Sequence, residues 1–243
     1  MKKAIGYVYV IAAAVCWGFL GLFNRVPTAA GVSLLNMMPL RFGGTAILFT
    51  VFCMMFKQQV FHIKLRHLPI FLGSGLISML LVLCGCALVS GIVGSDVGIS
   101  LEGLLMGLAS ELCYGGYTIF THYGMRYCDS FTMAYWTFLI AGIASLFLAD
   151  GPALLSALAE PRTGLAALGL MVMGTALPFT LYTKGLETVE SGKAAIIANI
   201  EPVMSAVIGV TVFQETLGLW TLVGIVLVLS GVVVLACEKE PDK

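Results

Sequence analysis

The chain has 243 residues, of which 59% are hydrophobic and only 11% are charged, against about 25% charged residues in a typical soluble domain. A protein that hid this much apolar surface from water would need more charged surface than 13 basic and 13 acidic residues supply, so the composition excludes an ordinary soluble enzyme and favours a protein embedded in lipid. The formal net charge of zero argues against a nucleic-acid-binding surface.

Eight apolar stretches follow one another along the chain, and each is long enough for the ~20 helical residues that cross a ~30 Å hydrocarbon layer. Three of them contain a single charged residue within the apolar stretch: Arg41 in residues 35–56, Glu111 in residues 103–121 and Glu201 in residues 194–214. The other five contain none and cover residues 4–24, 68–95, 130–149, 163–183 and 216–237. The longest connections leave no room for a soluble domain. The pattern therefore predicts an all-α integral membrane protein with about eight transmembrane helices.

The basic residues are distributed unevenly between the two sides of this predicted bundle. If the amino terminus is cytoplasmic, Arg25, Arg41 and Arg162 lie outside or near the outer face. The other ten lie on the inner side, namely Lys2, Lys3, Lys57, Lys64, Arg66, Arg126, Lys184, Lys193, Lys239 and Lys243. Because Lys and Arg are enriched in cytoplasmic loops, the sequence predicts a multi-pass protein of the cytoplasmic (plasma) membrane with both termini in the cytoplasm.

Two short matches within the chain indicate an inverted repeat. Cys-Trp-Gly at residues 16–18 matches Cys-Tyr-Gly at residues 113–115, in a stretch that crosses the membrane in the opposite direction. Antiparallel copies of this kind form the two halves of many transporters. A second match aligns Leu-Val-Leu-Cys-Gly at residues 81–85 with Leu-Val-Leu-Ser-Gly at residues 227–231.

The two matches differ in spacing, which is 97 residues for the first and 146 residues for the second. The difference of 49 residues predicts that the first half lacks a counterpart of residues 177–225. Loss of such a segment fuses two half-helices and deletes two crossings, so the orientation of the later helices is preserved. We therefore predict a 3+5 arrangement, with residues 1–95 as a shortened first repeat of three helices and residues 96–243 as a second repeat of five.

The most specific sequence pattern lies in the last two stretches. Residues 194–203 read AAIIANIEPV, residues 213–218 read FQETLG, and residues 227–232 read LVLSGV. Together with Ala-x-x-Cys-Trp-Gly in the first stretch and Arg-Phe in the second, this pattern resembles the EamA-type branch of the drug/metabolite transporter superfamily. The resemblance implies ten helices in two inverted five-helix repeats, a central cavity, and export of small metabolites or amino acids. This chain departs from that pattern where the family's third to fifth helices would lie, in agreement with the 49-residue difference.

Ionisable residues inside a membrane are the first candidates for a substrate site, because each costs ~2.5–3.5 kcal/mol on insertion. Glu201 lies near the middle of its stretch, and the adjacent Pro202 removes a backbone donor and favours a kink. We predict that Glu201 binds a substrate amine or carries a coupling proton, with a purely structural role between helices as the alternative. Glu111 is a second candidate, for specificity or for contact with a partner. Arg41 is a third candidate. Its side chain either snorkels to the lipid headgroups or pairs within the bundle, or it binds a substrate carboxylate.

Two aromatic residues complete the predicted site. Trp17 and Tyr114 occupy equivalent positions in the repeat, so they are predicted to face one central cavity from opposite sides. Their rings combine apolar area with a hydrogen-bonding edge, as a site for amino acids or aromatic metabolites requires. Other aromatic residues, such as Trp136, are weaker candidates, and Pro178 is a second predicted hinge beside Pro202.

These features predict a secondary transporter that exports a small metabolite, with amino acids as a candidate class, by alternating access in the lipid bilayer. Protons are the candidate coupling ion and a homo-oligomer is a candidate assembly, whereas no metal, cofactor or nucleic acid is expected. The sequence contains no phosphate-binding loop or familiar hydrolase motif, so an enzyme is not predicted. The alternative is a transport-incompetent truncated protein that acts as an interaction subunit or persists as a remnant.

Overall fold

The computed structural model describes residues 2–61, 63, 65–89, 101–147 and 149–237, and these residues form helices joined by short turns, without strands. The helices up to residue 89 are α1 (Lys2–Gly18), α2 (Leu20–Ala29), α3 (Leu34–Met38), α4 (Gly44–Phe56) and α5 (Leu68–Val89). Those from residue 101 onward are α6 (Leu101–Gly124), α7 (Ser130–Leu146), α8 (Gly151–Ala159), α9 (Pro161–Met171), α10 (Leu177–Gly185), α11 (Ser191–Ala198), α12 (Ile200–Phe213) and α13 (Leu219–Cys237). The predicted repeat boundary, between residues 95 and 96, lies outside the described residues.

The predicted all-α membrane fold is confirmed. Four helical segments of the described chain are long and apolar enough to cross a membrane, namely Ala4–Ala29, Asn36–Phe56, Pro161–Gly185 and Ser191–Phe213. The other four predicted stretches coincide with α5, α6, α7 and α13. The high content of aliphatic residues in these eight stretches favours insertion into lipid. In lipid they form helices, because each backbone polar group must be satisfied within its own segment.

The connection at residues 150–162 contains the short helix α8 rather than a plain loop. The Asp150 carboxylate accepts a hydrogen bond from the Ala153 N–H at the start of α8. The Glu160 carboxylate does the same for the Thr163 N–H at the start of α9, at 2.9 Å. Acidic side chains at these positions satisfy the unpaired N–H groups of a first helical turn.

Four membrane segments depart from regular α-helix within their length. A single turn residue, Phe19, separates α1 from α2, and Asn199 separates α11 from α12. Pro202 accounts for the second break, because proline has no N–H to donate to the carbonyl four residues earlier. The other two segments contain π-helical turns, Pro39–Gly43 between α3 and α4 and Val172–Ala176 between α9 and α10. Such turns are frequent at functional sites.

The interior of the bundle is rich in aromatic side chains. α1 packs against α10, α11 and α12, and α5 packs against α6 and α7. The approach of α1 to α10 depends on glycine, since a Cβ on Gly185 would lie 2.5 Å from a methyl group of Val10 and 3.0 Å from the Gly6 carbonyl oxygen. The largest fully buried side chains are Tyr117, Tyr182, Phe42, Phe71 and Phe138.

Candidate substrate site

Four aromatic residues from three helices form a cluster in the main hydrophobic core. Trp17 of α1 has its ring centroid 5.0 Å from Phe179 and 5.3 Å from Tyr182, both on α10, and 6.3 Å from Tyr114 of α6. Tyr114 and Tyr182 are 5.9 Å apart. We call these four residues the aromatic cluster. The structure therefore brings Trp17 and Tyr114 into contact, whereas the repeat predicted that they face one cavity from opposite sides, and their role in binding stays a prediction.

Several hydroxyl groups around the aromatic cluster are buried without a well-formed hydrogen bond. The hydroxyl oxygens of Tyr114, Tyr117 and Thr183 have no partner of hydrogen-bond geometry within the described part of the chain, but other hydroxyls lie close to them, that of Tyr182 beside Tyr114 and those of Thr121 and Thr183 beside Tyr117. The Tyr182 hydroxyl, by contrast, shares a hydrogen bond with the Thr118 hydroxyl at 3.2 Å. An unsatisfied buried polar group costs ~1–3 kcal/mol. An ordered water or a polar ligand that reached these hydroxyls would lower that cost.

Glu201 lies directly after a helix break, in the first turn of α12. Its side chain is half-buried and lies within electrostatic range of the Tyr114 hydroxyl. This position allows a carboxylate to act on a ligand at the aromatic cluster. It also places a negative charge at the positive end of the α12 dipole, which stabilises the helix. Pro202 lies in the same turn, and its role as a hinge stays a prediction.

The two segments broken by a single turn residue pack against each other close to Glu201. A Cβ on Gly18 would lie 2.4 Å from the Cβ of Met204 and 3.3 Å from its carbonyl carbon, so only glycine permits this approach. We call this contact the Gly18–Met204 crossing. In several transporter folds, discontinuous helices that meet within the membrane form the substrate and ion sites. The geometry of this crossing is of that kind.

Arg41 belongs to a second crossing, which joins the two π-helical turns. Its Nε donates to the Thr175 hydroxyl at 2.9 Å, and its guanidinium also donates to the Gly174 carbonyl at 3.3 Å. In a regular α-helix residue 178 would donate to the Gly174 carbonyl, but Pro178 has no N–H. Arg41 thus occupies an acceptor that proline leaves available. We call this contact the Arg41–Thr175 crossing.

The Arg41–Thr175 crossing is buried. Arg41 is only 9% exposed, so its side chain pairs within the bundle instead of snorkelling to the headgroups. The Thr45 hydroxyl adds a contact to the Met171 carbonyl at 3.1 Å. α7 packs closely on the first π-helical turn, because a Cβ on Gly142 would lie 3.1 Å from the Cα of Gly43. Binding of a substrate carboxylate by Arg41 stays a prediction.

Three further residues that the sequence singled out are not members of the aromatic cluster. Glu111 lies on α6, but its side chain is outside the described residues. Pro178 lies in the first turn of α10, directly after a π-helical turn, and its role as a hinge also stays a prediction. The Trp136 Nε1 donates to the Val60 carbonyl at 2.9 Å, so this side chain anchors the turn that follows α4.

Sequence reasoning missed two residues that the structure places at these sites. Phe179 contacts Trp17, and its position three residues before Tyr182, on one face of a helix, was an available signal. Thr175 accepts the Arg41 hydrogen bond across a separation of 134 residues. No local pattern indicates a pairing over that distance.

A family model described as the EamA-like transporter family matches residues 101–237, which is more than half of the chain. The chain belongs to the EamA-like transporter family. Membership indicates a multi-pass membrane protein of a transporter family and not an enzyme, as the sequence predicted. It agrees with the helical bundle described above.

Individual relatives match to different extents. An uncharacterized transporter of Archaeoglobus fulgidus is 41% identical over 68 residues, which cover 28% of this chain and 25% of that protein. The uncharacterized transporter YwfM of Bacillus subtilis is 23% identical over 293 aligned positions, which cover 100% of this chain and 97% of that protein. The multidrug resistance protein EbrB of Bacillus atrophaeus is 32% identical over 87 residues, or 35% of this chain and 74% of that protein. The first match thus spans about a quarter of its relative and the second nearly all.

Proposed function

We propose that this protein is a secondary transporter that exports a small metabolite, with amino acids as the candidate substrate class, by alternating access. The observation that carries the proposal is the Gly18–Met204 crossing, where two interrupted membrane segments meet next to the aromatic cluster and Glu201. Non-helical backbone at this depth is tolerated where it lines a cavity or is buried in protein. The printed name of EbrB, a multidrug resistance protein, supports the export direction.

We assign each group of such a substrate to a residue at or near the two crossings. Glu201 binds the substrate ammonium group or carries the coupling proton, since a carboxylate at this depth is costly unless it has a function. Trp17 and Tyr114 contact the cation and the apolar part of the substrate through their ring faces. The hydroxyls of Tyr114 and Tyr117 bond its polar groups. Arg41 remains the candidate partner of a substrate carboxylate.

Movement of one repeat against the other would expose Glu201 to each side of the membrane in turn. Pro202 and Pro178 are the proposed hinges of this movement, because each lies beside an irregular turn. Glu111 is the proposed source of specificity on α6. The bilayer surrounds the bundle, and a homo-oligomer is one way to complete the cavity.

The proposed topology has a shortened first repeat at residues 1–95 and a full second repeat at residues 96–243. The alignment with YwfM supports it, because its 293 positions exceed the 243 residues of this chain by 50. The family model matches only residues within the second repeat. Ten inner against three outer basic residues support a plasma-membrane protein with both termini in the cytoplasm.

Counterflow of labelled amino acids and small cations in proteoliposomes tests the proposal. Glu201→Gln removes the charge at the site, and Glu190→Gln makes the same change at an exposed position just before α11. We expect saturable flux in the parent and in Glu190→Gln, and none in Glu201→Gln although it inserts normally into the membrane. Equal counterflow in Glu201→Gln and the parent would remove Glu201 from the binding of the substrate.

A transport-incompetent interaction subunit is the second candidate. The alignment with YwfM has 50 more positions than this chain has residues. This difference favours the second candidate, because a shortened repeat can leave a cavity incomplete. A well-folded parent protein that transports none of the tested solutes would support this candidate. Flux together with a dimeric mass in detergent would instead support a homo-oligomer that completes the site.

A further inference from the structure

A large cavity lies at the end of the bundle where α4 and α6 end and α5 and α7 begin. Its volume is about 1100 Å³, which is at the upper limit of ordinary ligand pockets, ~300–1,000 Å³. The walls come from the end of α4, the turn that follows it, the start of α5 and the turn between α6 and α7. This cavity is separate from the aromatic cluster, since none of its lining residues belongs to that cluster.

The cavity has an excess of positive charge. Lys57 and Arg126 line it, whereas Asp129 is the one acidic residue among the described residues that line it. The Asp129 carboxylate already accepts a hydrogen bond from the Thr132 hydroxyl. Tyr127 also lines the cavity. Arg66 and Arg126 both lie within electrostatic range of its hydroxyl, so Arg66 is a further cation close to the cavity.

Lys57 and Arg126 contact aromatic rings, and neither forms an ion pair with another residue that the structure describes. Lys57 Nζ lies 4.7 Å from the ring centroid of Phe131, and the Arg126 guanidinium lies 5.2 Å from that of Tyr123. The ion pairs found among the described residues, Arg25–Glu215 and Lys184–Glu187, lie elsewhere. Cations held by ring faces keep their full charge available for an anionic ligand.

The same cavity also has an apolar wall. Met55, Phe56 and Phe71 line it beside the cationic groups, and Met55 and Phe56 lie in the last turn of a membrane-spanning segment. A basic and an apolar wall together, at the level where membrane helices end, match a molecule that carries an anionic head and an acyl chain.

We propose that this cavity binds the phosphate group of an anionic phospholipid, through Lys57 and Arg126, with an acyl chain against Met55 and Phe56. The turn that carries Lys57 is held in place by the hydrogen bond from Trp136 Nε1 to the Val60 carbonyl, so the basic wall is preformed. A soluble phosphate ester shares the anionic chemistry but has no group for the apolar wall. The proposal is independent of the transport function.

The test uses the full chain in an uncharged detergent, with phosphatidylglycerol, phosphatidylcholine or glycerol phosphate added. The readout is the thermal midpoint of unfolding as a function of ligand concentration. We expect phosphatidylglycerol to raise the midpoint at lower concentration than phosphatidylcholine. In the double variant Lys57→Gln/Arg126→Gln, its apparent affinity should fall about 30-fold, from the loss of two basic residues near the headgroup.

The double variant Lys184→Gln/Lys193→Gln is the matched control, because it removes the same charge from helix ends on the same side but outside the cavity. Asp129→Asn removes a negative charge from the cavity, so it should tighten the binding of phosphatidylglycerol. This variant keeps the proposal testable even if the cavity double variant does not fold. Equal responses to the two lipids, or equal losses in the two double variants, would overturn the proposal. Full competition by glycerol phosphate would overturn the lipid assignment and leave a phosphate-ester site.

Discussion

The two crossings of irregular membrane segments differ in how their polar groups are satisfied. At the Arg41–Thr175 crossing, the guanidinium bonds a hydroxyl and a carbonyl that proline leaves available. At the Gly18–Met204 crossing, the neighbouring Tyr114 and Tyr117 hydroxyls make no well-formed hydrogen bond among the described residues, and a carboxylate lies nearby. The first arrangement is a fixed joint between two segments, whereas the second is the proposed substrate site.

Breaking the fixed joint should have the largest effect on stability. Arg41→Met removes two charge-assisted hydrogen bonds and leaves buried acceptors unpaired, so we expect a loss of about 3 kcal/mol in the free energy of unfolding. Thr175→Val removes one of these bonds together with the hydrogen bond from the Thr175 hydroxyl to the Leu170 carbonyl, so it should also destabilise the protein, although the bond from Arg41 to the Gly174 carbonyl remains. Thermal unfolding in detergent measures both. An Arg41→Met protein as stable as the parent would show that the crossing is not a joint.

Filling the Gly18–Met204 crossing should have the next largest effect. A Cβ at residue 18 would overlap Met204 at 2.4 Å, so Gly18→Ala forces α1 and α12 apart and should cost about 1–3 kcal/mol. It should also abolish saturable flux if the crossing is the substrate site. Gly21→Ala is the control, because its Cβ would make an ordinary 3.7 Å contact with Ser205 Oγ. Equal behaviour of the two variants would contradict the close approach.

Two tyrosine variants separate fold from function at the aromatic cluster. Tyr182→Phe removes a hydroxyl bonded to Thr118 and should cost about 1 kcal/mol of stability. Tyr114→Phe removes a buried hydroxyl that makes no well-formed hydrogen bond and only a weaker contact with the Tyr182 hydroxyl, so stability should fall less than in Tyr182→Phe, whereas KM for the substrate should rise about 5–10-fold if this hydroxyl bonds the substrate. Thermal unfolding and flux measured on both variants show which hydroxyl serves the fold and which serves the substrate. A destabilised Tyr114→Phe with unchanged KM would reverse the assignment.

The smallest effect is expected at Glu160, a helix cap remote from both crossings. The Thr163 hydroxyl and N–H hold the pKa of the Glu160 carboxyl below its ordinary value. Because the folded pKa is lowered, the stabilisation is present above the unfolded pKa, about 4.3, and is lost as pH falls through the folded value. Glu160→Gln should therefore be slightly less stable than the parent at neutral pH and equal to it in acid. A constant difference across this range would exclude the charged cap.

Hydropathy and charge predicted the membrane segments well. Each of the eight predicted stretches is mainly helical where the chain is described, because a run of ~20 apolar residues in lipid has no other stable structure, although the last begins as helix only at Leu219. The repeat predicted that Trp17 and Tyr114 face one cavity from opposite sides, and in the structure their rings are 6.3 Å apart. Pro202 signalled the irregular turn beside Glu201, since a missing N–H is visible in the sequence itself.

The π-helical turns and their Arg41–Thr175 contact could not be predicted in the same way. A π-helical turn changes the register of a helix by one residue without altering its hydropathy. The partner of Arg41 lies 134 residues away, so its identity depends on how two segments pack. The spacing of Phe179 to Tyr182 is visible in the sequence, but its contact with Trp17 follows from the packing of α10 on α1. Tertiary packing, which hydropathy does not encode, decides each of these.

Fluorescence of Trp17 tests most directly whether the Gly18–Met204 crossing is a ligand site. In a Trp136→Phe/Trp220→Phe protein, Trp17 is the single tryptophan, and its ring contacts Tyr114, Phe179 and Tyr182. A solute that shows counterflow should change its emission saturably, and Glu201→Gln should abolish the change. Unaltered Trp17 emission at saturating concentrations of a transported solute would contradict a substrate site at this crossing.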